Sequence, residues 1–89
     1  MSVQGFDWAT RQPTSDYVTK ALLVALGALA DPDHRSRVNV DELAETIEHP
    51  PRIVREILSE LESDELIACV RPLSSAGNGV YTLQLERTI

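Results

Sequence analysis

The sequence predicts a small α+β domain, mainly α: three helices followed by a two-stranded β-hairpin. Three observations predict it. Between positions 15 and 62 apolar residues recur at helical spacing. Beyond Leu66 the apolar period drops to two. The run SSAGNG (74–79) splits that last stretch into two extended segments, the mark of a hairpin. Eighty-nine residues leave room for one domain. A chain this short buries only ~60–65% of its extended surface, so its core is thin.

Residues 1–14 form an N-terminal arm ahead of the domain at 15–89. The arm holds Phe6 and Trp8, two of the four aromatic residues, and such side chains dock against something. The first helix is predicted over Ser15–Ala30, with a hydroxyl N-cap from the PTSD run and an early Asp. Val18, Leu22, Ala25, Leu26 and Leu29 share one face, while Leu23, Val24 and Ala28 lie off it. A helix apolar nearly all round needs two partners. One is the rest of the domain. The other is the arm or a second copy of the chain, with the balance slightly toward the copy. Pro32 forbids continuation of this helix.

A loop with Arg35 and Arg37 leads through a short extended piece to the second helix. Asn39 is its N-cap with Glu42 three residues on, and Val38 and Leu43 make the hydrophobic staple. Leu43, Ala44 and Ile47 form its buried face. The third helix opens at Pro50 or Pro51, where a missing amide costs nothing, and runs to about 62. Ile53, Val54, Ile57, Leu58 and Leu61 point inward; Arg52, Arg55, Glu56 and Ser59 point out. ESDE (62–65) closes it. LIACVRPL (66–73) and VYTLQLE (80–86) read as strands, the second with Tyr81, Leu83 and Leu85 on one face.

Composition narrows the function classes. One cysteine, Cys69, permits no internal disulfide and fits a reducing compartment. No apolar run reaches the ~18 residues of a membrane span, and MSVQGFDWAT lacks the order of a signal peptide. The expected location is cytoplasmic. The net charge of −6 weakens non-specific affinity for phosphate backbones. No Gly-rich phosphate loop, nucleophile set or zinc spacing is present, and the Asp31, Asp33 and ESDE acids lack the spacing of a calcium loop. The chain is therefore read as no enzyme, with no metal and no cofactor. His49 is expected to be half-buried and His34 solvated. Cys69 is expected to be a small buried hydrophobe.

The segment DELAETIEHPPRIVREILSELESDELI resembles the winged helix-turn-helix domains of bacterial transcriptional regulators. Leu43-Ala44, Val54, Leu58, Leu61-Glu62 and Leu66-Ile67 carry the resemblance, which spans about 38–85. Three positions depart from it. Glu48, His49 and Pro50 stand where the family has a glycine, an apolar residue and a Ser or Thr cap. Glu48 implies that the turn avoids a left-handed backbone, or tolerates one with strain.

The resemblance implies a sequence-specific regulator of double-stranded DNA, with the helix at 50–62 in the major groove and a wing at 67–86. Arg52 and Arg55 suit guanine, Glu56 suits cytosine or orients Arg52, and Ser59 completes the set. Arg71, Arg35 and Arg37 would approach the backbone, so that five arginines gather around one face. A homodimer through helix 15–30 and the arm accompanies this reading. The alternative is an acidic protein-interaction module without nucleic acid, its contact the ridge of Glu42, Glu45 and Glu48. Against each arginine stands the plainer role of a solvated charge among many carboxylates.

Overall fold

The computed structural model describes residues 3–14 and 16–85. The elements run α1 (Val3–Arg11), α2 (Tyr17–Leu29), β1 (Arg35–Asn39), α3 (Val40–Ile47), α4 (Pro51–Ser63), β2 (Ile67–Arg71) and β3 (Asn78–Leu83). The chain is an α+β domain, roughly half helical, with a three-stranded antiparallel sheet ordered β1-β3-β2.

The arm is a helix. Trp8 and Ala9 are buried against α2, whereas Phe6 stays 46% exposed, so only one of the two aromatic residues docks. Gly27 lets the two backbones meet at Gly5: a Cβ on Gly27 would stand 2.4 Å from the Gly5 carbonyl oxygen. Lys20 ties the end of α1 down, its Nζ donating to the carbonyls of Ala9 (3.3 Å), Thr10 (3.0 Å) and Gln12. A cation is well placed there, since a helix C-terminus carries unsatisfied carbonyls and partial negative charge. The arm thus supplies the second partner of α2, the role for which a second copy was slightly favoured. Gly27→Ala is expected to cost about 1–3 kcal/mol through overpacking. It should lower the urea midpoint at unchanged slope; an unchanged midpoint would mean that α1 does not sit on α2.

The N-cap of α2 is Asp16, whose Oδ1 accepts the Thr19 amide at 2.8 Å. The predicted start at Ser15 lies outside the described residues. Leu22, Leu23 and Leu26 are fully buried, but Leu29, expected inward, is exposed at the helix end. At α3 the expected cap is present: Asn39 Oδ1 accepts the Glu42 amide at 2.9 Å, and Val38 and Leu43 are both buried.

The third strand corrects the two-stranded expectation. Residues 35–39 alternate exposed and buried, with Ser36 and Val38 turned inward, and pair along β3. Their partners lie far away in sequence, from Arg35 opposite Thr82 to Asn39 opposite Asn78. The inner face of the sheet carries Ser36, Val38, Gly79, Tyr81, Leu83 and Ile67, all buried. The core joins Leu22, Leu26, Leu43, Val54, Leu58 and Leu61 to that face. β3 ends at Leu83; of the predicted strand residues beyond it, Leu85 is half-buried and residue 86 lies outside the described residues.

Two helices end on a left-handed glutamate rather than a glycine. Glu48 has φ 58° and Glu65 has φ 61°. Beside them the His49 amide reaches the Ala44 carbonyl and the Leu66 amide reaches the Leu61 carbonyl, each at 3.0 Å. These six-to-one bonds define a Schellman end. Of the two readings left open for Glu48, the strained left-handed one holds. Glu48→Gly is expected to stabilise the fold by about 0.5–1 kcal/mol, the relief of the Cβ clash less the entropy of an unfolded glycine. A lower melting temperature would contradict the strain.

Candidate nucleic-acid interface

Helix α4 divides along its length. Val54, Ile57, Leu58 and Leu61 are buried, and Ile53 is half-buried. Arg52, Arg55, Glu56 and Ser59 are exposed. Spacings of three and four residues keep each set on its own side. Arg52 Nε stands 4.0 Å from Glu56 Oε1, with the two side chains 78% and 64% exposed. That is an open surface pair, which holds neither side chain firmly. Among the described residues no carboxylate forms an ion pair with Arg55. Pro50 provides no side-chain cap at the start of α4, as its chemistry requires.

Burial pushes the Tyr81 phenol above its ordinary range, Cys69 and Glu62 push the same way, and the Arg55 charge opposes them. Tyr81 belongs to the inner face of the sheet. The hairpin loop sits beside the start of α3: the Val40 amide donates to the Gly77 carbonyl at 2.9 Å, and Asn39 Nδ2 to Asn78 Oδ1 at 2.8 Å. Gly77 takes φ 84°, which explains a glycine there.

Arg35, Arg37 and Arg71 come together elsewhere. Arg37 and Arg71 both pair with Val80, and Arg35 pairs with Thr82. This row is the outer face of the sheet, opposite to Tyr81. An irregularity between Cys69 and Arg71 breaks the β2 register, so Arg71 rather than Val70 stands opposite Val80. The three arginines line a depression of about 460 Å³ together with Asp31, Val70, Asn78 and Val80. The five arginines expected around one face therefore fall on two elements: two along α4 and three across the sheet. Sequence reading missed Asn78, Val80 and Asp31 as neighbours of these arginines; the alternation over 35–39 was the available signal.

Three smaller expectations change. Cys69 is exposed, because β2 runs past the core after Ile67. His49 is exposed too, since the left-handed turn at Glu48 lifts it off α3. His34 is half-buried, and its carbonyl accepts the Leu83 amide at 2.7 Å. Among the described residues no group of three or more His, Cys, Asp or Glu converges as metal ligands would. In the same residues no helix is long and apolar enough to cross a membrane.

No family model, curated protein or solved structure matches the chain.

Proposed function

We propose that the chain is a sequence-specific DNA-binding transcriptional regulator of the winged helix-turn-helix type, acting in the cytoplasm and without enzymatic activity. Helix α4 enters the major groove, and the β2–β3 hairpin is the wing. The observation that carries the reading is the division of α4: one side packed in the core, the other presenting Arg52, Arg55 and Ser59 with no firm carboxylate partner among the described residues. Solvated arginines on an outward helix can grip guanine O6 and N7 with paired hydrogen bonds. The order β1-α3-α4-β2-β3, with the loop seated against the start of α3, fits the same plan. A homodimer would have to use the outer side of α1, where Val3 and Phe6 are exposed, because the inner side is taken by α2.

Selection of bound duplexes from a randomised DNA pool tests the proposal. A convergent motif is expected. Its affinity should fall steeply with salt, because each phosphate contact releases condensed counterions.

A second reading has its own observation. Asp41, Glu42, Glu45 and Glu48 are all exposed on and just after α3, the helix next to α4. Together with the net charge of −6 they favour an acidic adaptor that binds a basic protein. A pool that yields no motif, with retention instead on a basic protein surface, would select this reading.

A further inference from the structure

We propose that the outer face of the sheet is a binding site for a small phosphate-bearing anion, separate from helix α4. Three arginines meet there in a chain with only eight basic residues and a net charge of −6. None of them makes an ion pair among the described residues. The acid at the site is Asp31, and its carboxylate is already engaged: Oδ1 accepts the backbone amides of Asp33 at 2.9 Å and Arg35 at 3.0 Å. Three cations against one carboxylate leave a net positive hollow. Like charges repel, and Asp31 offsets only one of the three, so the surplus of two positive charges favours an anionic ligand.

The shape matches the charge. A depression of about 460 Å³ lies within the usual ~300–1,000 Å³ of small-ligand sites. Val80 lies between Arg37 and Arg71, and Val70 adds a second apolar side chain to the lining. Asn78 adds a side-chain amide whose oxygen is held by Asn39, which leaves its NH₂ group as a donor at the rim. The break in the β2 register is what brings Arg71 opposite Val80, across β3 from Arg37. Bulges recur where a side chain has to be re-aimed toward a site. Arginine forks suit phosphate oxygens, since each guanidinium presents two parallel donors. The backbone of a duplex seated on α4 is the weaker candidate. These three arginines stand on strands, two on β1 and one on β2, and not on α4.

The inference does not rest on the DNA reading, and its test separates the two. The full chain is titrated with sodium pyrophosphate at constant ionic strength while the arginine Nε–H signals are followed by NMR. The signals of Arg35, Arg37 and Arg71 should shift and saturate, while those of Arg52 and Arg55 stay still. The double variant Arg37→Gln, Arg71→Gln should weaken pyrophosphate binding by roughly tenfold or more, with an unchanged melting curve, because both side chains are exposed. Arg52→Ala with Arg55→Ala should leave it intact. Equal, unsaturable shifts at every arginine would overturn the proposal, since they report only screening. Displacement of pyrophosphate from the three sheet arginines by duplex DNA would overturn it as well, by assigning them to the backbone.

Discussion

Leu58→Ala is expected to remove about 2–5 kcal/mol of stability, the range for large-to-small changes in a packed core. Leu58 is 1% exposed, within a cluster that includes Val54, Leu61, Leu22 and Leu26. Two effects add: the lost transfer of the deleted methyl groups from water, and the cavity that rigid neighbours fail to close. Those neighbours belong to helices and to a sheet whose positions are fixed by pairing, so collapse into the gap is limited. A domain of this length has a total stability of only ~4–13 kcal/mol. The variant therefore sits near the edge of folding. Ser59→Ala, one residue on and fully outside the core, should move stability by less than about 0.5 kcal/mol. Urea titration of the pair reads the contrast directly. A loss below ~1 kcal/mol at Leu58 would mean that α4 does not pack as described.

That contrast between adjacent residues was legible in the sequence, because it depends on local periodicity alone. The same is true of the Asn39 cap, the Val38–Leu43 staple and the start of α4 at twin prolines, all of which involve neighbours within five residues. What escaped depends on distant partners. Strand β1 reads as a charged loop until β3 arrives far along the sequence to cover its amides. Helix α1 reads as an arm because its seat lies on another helix, where the missing side chain of Gly27 lets the Gly5 backbone approach. Glu65 took a left-handed turn that composition does not signal; the one at Glu48 was among two readings left open, and His49 was carried outward with it. The candidate site followed the same rule. The outward set on α4 was visible from spacing. The grouping of Arg35, Arg37 and Arg71 needed both the sheet register and the break at Cys69–Arg71.

The functional counterpart of the Leu58 experiment uses the opposite side of the same helix. Once a bound duplex has been selected, Arg52→Ala with Arg55→Ala is expected to cost about 2–6 kcal/mol of specific binding, at about 1–3 kcal/mol for each bidentate arginine. At ~1.4 kcal/mol per decade, that is a loss of roughly thirtyfold at the least. The two positions are three residues apart on one helix face, so their effects can couple, and the single variants are needed beside the double. The melting curve should be unchanged, because both side chains are exposed and Arg52 keeps only an open pair with Glu56. Stability and affinity then separate cleanly: Leu58→Ala lowers the first, the arginine pair lowers the second. Affinity for random duplex should fall far less than affinity for the selected site, since base contacts specify while phosphate contacts position. Equal loss on both duplexes would reduce α4 to a charged surface. Full retention of selected-site binding would take α4 out of the groove and return attention to the exposed acids of α3.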